Sequence, residues 1–226
     1  MYGFTDRGEA GRYLGRLLLG HVSYPMVVAA IPRGGVAVGA EIARTLGAPL
    51  TVVYTRNLTV PSWPEFAFGA IDDDGRELLD TEAAEAWGLE HDAIEGARHR
   101  VYESMRRRMK LYHAPRLGAY LPGRSVVIVD EGIATGMTIR AAIQYARRHG
   151  ATDVTVAAPC ASSQSLQSIM MEVDRLVVPV RDPNFTSVSH YYTSFPDVSE
   201  EAVAALLANA NEPALPLIGN PDPLPT

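Results

Sequence analysis

Residues Val126-Val127-Ile128-Val129 form an unbroken run of four apolar β-formers that stops at two adjacent carboxylates, Asp130 and Glu131. Such a run suits a strand covered on both faces, the condition of a strand inside a parallel sheet. A loop of small and hydroxylated residues follows, Ala134-Thr135-Gly136-Met137-Thr138, and then a helical stretch over 139–149. Strand, acidic pair, loop and helix, in that order, is the layout of a phosphate and sugar site at the carboxyl end of a parallel strand. Backbone N–H groups of the loop and first helical turn can face a phosphate, aided by the helix dipole. Thr135 and Thr138 add hydroxyl donors, and Gly136 lets the backbone approach closely. The two carboxylates would repel a phosphate, so they serve hydroxyls or a cation beside it. An ordinary buried strand with an acidic turn leaves both the side-by-side carboxylates and the Thr-Gly-Met-Thr loop unexplained.

Elsewhere the chain alternates strand and helix signals, which implies an α/β fold: a mostly parallel twisted sheet with helices on both faces. The reading places an opening helix over 6–19, strand one over 26–31 with its helix over 36–46, and strand two over 50–55. The motif strand over 125–129 precedes a strand over 153–158, a helix over 164–172, a strand over 175–180 and a last helix over 199–208. Between strand two and the motif strand the rhythm breaks. Residues from about 57 to 123, with Pro61, Pro64, the acidic turn Asp72-Asp73-Asp74-Gly75 and a charged helix over 91–112, read as a flap or hood inserted into one domain spanning 1–210. The proline-rich tail, 211–226, reads as extended or disordered.

Composition removes several classes of function. A net charge of −6 argues against broad nucleic-acid binding, and no run reaches the ~18 apolar residues of a membrane helix. The amino terminus lacks a secretory pattern, and the lone Cys160 lies in an apolar run, so a buried thiol in a reducing cytoplasm is expected. Histidines are scattered without metal-ligand spacing. No Gly-x4-Gly-Lys-Ser/Thr, Gly-x-Gly-x-x-Gly or Gly-x-Ser-x-Gly element exists. Arg106-Arg107-Arg108 with Lys110 is by default a solvated helix face, with phosphate capture by one of the arginines as the alternative.

A second loop, Ala30-Ile31-Pro32-Arg33-Gly34-Gly35, also joins a strand to a helix. Its glycines permit free N–H groups, and Arg33 offers a bidentate phosphate ligand, although Pro-Arg-Gly-Gly also serves as a plain turn. Together with Val129-Asp130-Glu131-Gly132-Ile133-Ala134-Thr135-Gly136, it resembles the type I phosphoribosyltransferase family. The likeness is strongest to bacterial proteins that pair an Ala-x-Pro-Arg-Gly-Gly loop with a Val-Asp-Asp-Gly-x-Ala-Thr-Gly motif, and it covers about residues 4–208.

The resemblance implies transfer of the 5-phosphoribosyl group of phosphoribosyl pyrophosphate (PRPP) to a nucleophile, usually a ring nitrogen, with release of pyrophosphate. Asp130 and Glu131 would hold the ribose hydroxyls and touch Mg2+, directly or through water. Ala134, Thr135, Gly136, Met137 and Thr138 would hold the 5′-phosphate. Arg33, Gly34, Gly35 and Arg56 would hold pyrophosphate, with the peptide Pro32–Arg33 as the candidate for the non-proline cis bond common in relatives. Relatives of this subgroup usually show Arg-Lys-Leu after strand two. Asn57 replaces that lysine, and Arg98 or the Arg106 cluster could supply the missing charge. Ala134 replaces the aspartate of enzymes that salvage hypoxanthine and guanine, so neither is the expected acceptor. Phe185, in Asp182-Pro183-Asn184-Phe185, would stack on the acceptor, or else pack the last helix together with Tyr191, Tyr192 and Phe195. Trp63 would cover the site or anchor a hinge, and the run 72–74 would make a hairpin turn or, less simply, hold a cation. A homodimer is the family's common state. The alternative to an enzyme is a regulatory member that binds PRPP or a nucleotide without catalysis.

Overall fold

The computed structural model describes residues 3–60, 63–112 and 114–211, apart from the side chains of residues 64 and 65. Helix α1 (Arg7–Leu18) starts at Asp6, whose carboxylate accepts the Glu9 N–H at 2.8 Å, and it buries Ala10, Leu14 and Leu18 along one stripe. Strand β1 (Met26–Ala30) is buried throughout and leads into α2 (Gly34–Leu46), which ends at Gly47 in the left-handed conformation. Strand β2 (Leu50–Val52) completes the first unit. It is shorter than its apolar run because Val53, Tyr54 and Thr55 leave the sheet while staying buried.

The insertion is a folded layer. Strands β3 (Arg56–Val60), β4 (Trp63–Ile71) and β5 (Glu77–Leu79) form an antiparallel sheet. The short helix α3 (Thr81–Ala86) and the long α4 (His91–Tyr112) follow. Residues 72–76 make the β4–β5 hairpin turn, with Gly75 N–H donating to Asp72 O at 3.0 Å. That turn is pinned to the rest of the protein. Asp73 accepts from Arg116 at 2.9 Å, Asp74 faces His149 at 2.8 Å, and Asp72 pairs with Arg148. The acidic run is therefore a turn with its charges paired.

Strand β6 (Ser125–Val129), helix α5 (Met137–Arg148), strand β7 (Val154–Ala157), strand β8 (Cys160–Ser162) and helix α6 (Ser163–Met170) come next. Strands β9 (Arg175–Val177) and β10 (Val180–Asp182) and the final helix α7 (Glu200–Asn211) close the described chain. Helix α7 runs past the expected end, and the tail from residue 212 onward lies outside the described residues. The expected single strand over 175–180 is instead two. β9 stays in the main sheet, while β10 pairs with β8 in a separate parallel ribbon beside the motif loop.

The main sheet is wholly parallel, in the order β2-β1-β6-β7-β9. Successive strand residues feed opposite faces. Val28, Ala30, Val127 and Val129 join the core under α1, α2, α4 and α7, while Val27, Ala29, Val126 and Ile128 join the core under α5 and α6. The chain progresses outward from β1 to β2, then returns to place β6 on the other side of β1. Ligands of open α/β sheets bind at the carboxyl ends of strands flanking such a reversal. The two strands flanking it here are β1 and β6, and they carry the two loops singled out above.

Candidate functional site

Loop 31–35 and loop 130–136 leave adjacent strands in register, Ala30 opposite Val129, and Ile31 N–H donates to Val129 O at 2.8 Å. The Pro32–Arg33 peptide is cis. The loops touch closely enough to need glycine. A Cβ on Gly35 would lie 3.0 Å from Val129 O, and one on Gly34 would fall inside the Glu131 carboxylate. That carboxylate thus rests over the start of α2, where first-turn N–H groups lack helical partners.

Glu131 is also held from the other side. Arg7, in the first turn of α1, donates from Nε to Glu131 Oε2 and from Nη1 to Pro196 O at 2.7 Å, and its guanidinium lies 3.8 Å from the centre of the Phe195 ring. Tyr192 donates to the Glu131 carbonyl at 2.7 Å. Sequence reasoning missed Arg7. The available signal was an arginine on the stripe that also carries Ala10, Leu14 and Leu18, where a charge is out of place unless paired. Tyr192 and Phe195 therefore support the acidic pair.

Asp130 is half-buried and accepts the Glu131 N–H at 2.8 Å. Loss of water around its carboxyl, then the neighbouring Glu131 charge, hold its pKa well above the ordinary carboxylate range. Cys160 lies under the motif, close enough that a Cβ on Gly132 would meet its Sγ at 3.0 Å. Burial, with the nearby carboxylates, pushes its thiol up to about 12, so it is a structural thiol.

Gly136 caps α5 with φ of +79°, a conformation open to glycine at little cost. Helix α5 has no side-chain cap from Gly136 and no acidic residue in its first turn, and its Met137 N–H makes only a long 3.5 Å contact to Thr135 Oγ1, so the start of the helix is open to an anion. Ala134 and Thr135 are exposed, Thr138 is half-buried, and Met137 is buried against Ala70 and Ala141.

The β2–β3 junction brings a third set of residues to the Pro32-Arg33 loop. Arg33, Arg56 and Arg108 line one crevice with Tyr54, Thr55 and Tyr112. Arg108 Nε pairs with Glu200 of α7 at 2.9 Å, and Glu200 also accepts from the Tyr112 hydroxyl. Of the sequence alternatives, Arg98 and the cluster 106–108, Arg98 and Arg106 pair with Glu95 and Glu103 on their own exposed helix face, whereas Arg108 lines the crevice. Asn57 pairs across the sheet with Ala70 and shares its face, away from Arg56. Phe185 stacks on Tyr191 at 5.1 Å and 14°, and the Tyr191 hydroxyl donates to Asp182. Trp63 is exposed beside Phe66 and Trp87.

The phosphoribosyl transferase domain model matches residues 75–192, which holds the acidic pair and its loop but not the Arg33 loop. Two Mycobacterium tuberculosis proteins provisionally named phosphoribosyl transferases, Rv0571c and MT0597, are each 38% identical over 208 residues, 92% of this chain. The chain spans about half the length of these curated relatives, 47%. The crystal structure of TT1426 from Thermus thermophilus superposes with a TM-score of 0.75 at 35% identity, covering 92% of this chain and 99% of that one. With two strand-end loops at a sheet reversal and these relatives, the chain belongs to the phosphoribosyl transferase domain family.

Proposed function

We propose that the protein is a Mg2+-dependent phosphoribosyltransferase that moves the 5-phosphoribosyl group of PRPP to a nitrogen or similar nucleophile and releases pyrophosphate. The observation that most supports this reading is the meeting of residues 32–35 and 130–138 at the carboxyl ends of β1 and β6, where the strand order reverses. In this reading Thr135, Thr138 and the leading N–H groups of α5 take the 5′-phosphate, in the loop 134–138. Asp130 and Glu131 accept the ribose hydroxyls. Arg33, Arg56 and the amides of Gly34 and Gly35 take pyrophosphate.

The C1–O bond to pyrophosphate breaks with its electron pair going to the leaving group, a C1–N bond forms, and the acceptor nitrogen gives up its proton to the departing pyrophosphate or to solvent. Charge builds on pyrophosphate while C1 becomes an oxocarbenium, so the protein contributes positioning and fixed charge more than covalent chemistry. Among the described residues no group of three or more His, Cys, Asp or Glu is placed to hold a metal. Hard oxygen donors on Asp130 and Glu131 nevertheless fit Mg2+, which takes one or two carboxylates and completes its shell with substrate oxygens and water. When bound it neutralises charge on the departing pyrophosphate.

Ala134, at the position of the purine-handling aspartate, argues for an acceptor other than hypoxanthine or guanine. Phe185 supplies a ring face for that acceptor opposite Tyr191. The reading carries a cytoplasmic location, where a lone thiol stays reduced, and a homodimer that light scattering tests. Calorimetric titration with PRPP, with and without Mg2+, tests the core of the proposal. Mg2+-dependent micromolar binding, abolished in a D130N/E131Q double variant that still folds, is expected; undiminished binding by that variant overturns the site. The second reading, a PRPP- or nucleotide-binding regulator without turnover, is favoured by Asn57 in place of lysine. It predicts binding without pyrophosphate release across a panel of bases and amines.

A further inference from the structure

We propose that Arg108 of α4 is the third cation of the leaving-group site, supplying from the inserted layer the charge that Asn57 does not. The proposal rests on the phosphoribosyl-transfer reading above. Three arginines from separate elements line one crevice: Arg33 after β1, Arg56 at the start of β3, and Arg108 near the end of α4. Like charges repel, so their convergence without an anion is unfavourable, and only one of the three has a carboxylate partner among the described residues. The neighbouring charges of Arg108 and Arg33 add to partial enclosure in lowering the Arg56 pKa from its ordinary value.

The crevice carries a second sign of an absent polar ligand. Tyr54 and Thr55 line it, and their hydroxyl oxygens are buried without a hydrogen-bond partner among the described residues. Buried polar atoms are ordinarily satisfied by protein or by ordered solvent. The enclosed space, about 10 Å³, admits one water and no phosphate. The anion therefore sits at the rim, on the guanidinium groups, with a bound water linking it to the two hydroxyls below.

Arg108 is built to present its outer nitrogens. Glu200 engages its Nε, and among the described residues neither Nη group has a carboxylate partner, so both can make a bidentate contact. The other Glu200 oxygen takes the Tyr112 hydroxyl, and Tyr112 stacks on Tyr54 at 6.0 Å and 13°, so the crevice wall is a linked set. Glu200 is thus a positioning residue. The face of β3 explains why a helix arginine does this work. Leu58 and Val60 belong with Met105 and Tyr112 to the core under α4, so Arg56 on the same face of the strand looks toward α4, whereas Asn57 lies on the face of Ala70, which packs on α5.

The test is calorimetric titration of parent, R108Q, R108K, R98Q and R106Q with three probes: inorganic pyrophosphate, PRPP and ribose 5-phosphate, all with Mg2+. R108Q should lose about 10- to 100-fold in affinity for pyrophosphate and PRPP while ribose 5-phosphate changes less than about twofold. R108K, which keeps the charge but not the fork, should fall between R108Q and parent. R98Q and R106Q should match the parent. Equal pyrophosphate affinity in parent and R108Q overturns the proposal, as does an equal loss for ribose 5-phosphate, which would mark a structural role. Should R108Q fail to fold, R108K decides by the same pyrophosphate-to-ribose 5-phosphate split. A parent that binds none of the PRPP or ribose 5-phosphate but binds pyrophosphate through Arg108 would retire the transfer reading and keep the anion site.

Discussion

Gly34→Ala separates the stability of the fold from the state of the acidic pair. A methyl group there has no room because the Glu131 carboxylate occupies its place. That carboxylate is the end of a flexible side chain, so it should swing away and leave Arg7. The two side chains are 9% and 24% exposed, which puts the pair between surface pairs worth under ~1 kcal/mol and buried ones whose breakage costs ~3–5 kcal/mol. A loss of about 2–3 kcal/mol follows, offset by at most ~1 kcal/mol from replacing glycine in a helix. The net of about 1–2 kcal/mol should lower Tm by roughly 2–8 °C in a chain of this size. The discriminating measurement is a double-mutant cycle by denaturant unfolding. Glu131→Ala should cost about 2–3 kcal/mol alone, and adding Gly34→Ala to it should then be neutral or stabilising. The coupling of about 2 kcal/mol lies far outside the ~0.5 kcal/mol scatter of independent sites. Additive effects would mean that Glu131 does not rest on Gly34, and the close packing of the two loops would be refuted.

Arg7→Gln should weaken PRPP binding by about 10- to 100-fold in titration calorimetry, and Arg7→Lys should restore part of it; parental affinity in Arg7→Gln counts against the pair. Asp73→Asn removes a charge that is 1% exposed and bonded to Arg116 and, at 3.3 Å, to the Tyr145 hydroxyl, so urea unfolding should show a loss of about 1.5–3 kcal/mol, with earlier proteolysis within β4 and β5. A loss below about 0.5 kcal/mol would mean that the turn is not clamped by this residue. Cys160, fully buried with its thiol pushed up to about 12, should resist a disulfide reagent at pH near 8 in the native protein and react once per chain after unfolding. Stoichiometric reaction before unfolding would refute its burial.

The elements read correctly were those whose cause is local. The motif strand over 125–129 and the charged helix over 91–112 match β6 and α4 to the residue, because an unbroken apolar run and a long stretch free of glycine clusters and proline each specify one structure. The β8–β10 ribbon escaped notice because each strand is three residues long and is defined by its partner rather than its own pattern. The reading of 57–123 as a flap followed its prolines and charges. The pairing of β3, β4 and β5 and the Asp73–Arg116 contact depend on residues dozens of positions apart. The same holds at the site. Loop residues 33–35 and 130–138 could be singled out from composition, but Arg7 meets Glu131 across 124 positions. Arg108 differs from Arg106 through distant partners, Glu200 on the last helix and the crevice it shares with Arg33 and Arg56.

In the phosphoribosyl-transfer reading proposed above, an arginine on a carboxylate that would take sugar hydroxyls looks like an obstruction until the charges are counted. Two ionised carboxylates side by side would face a ligand carrying a phosphate and a pyrophosphate. At an effective dielectric of 20, each pair of unit charges about 4 Å apart costs about 4 kcal/mol, enough to cancel the gain from several hydrogen bonds. Arg7 removes one of those charges from the balance without removing its acceptors. Its Nε takes Glu131 Oε2, and Glu131 Oε1 stays free of Arg7. The second anchor to Pro196 and the packing on Phe195 hold the guanidinium in place, so it does not follow the carboxylate toward solvent. Loss of water around Asp130 acts in the same direction, since it disfavours a second negative charge. The pair thus presents oxygen acceptors with much of their charge already compensated, which is what the proposed function asks of a site that takes hydroxyls next to phosphates.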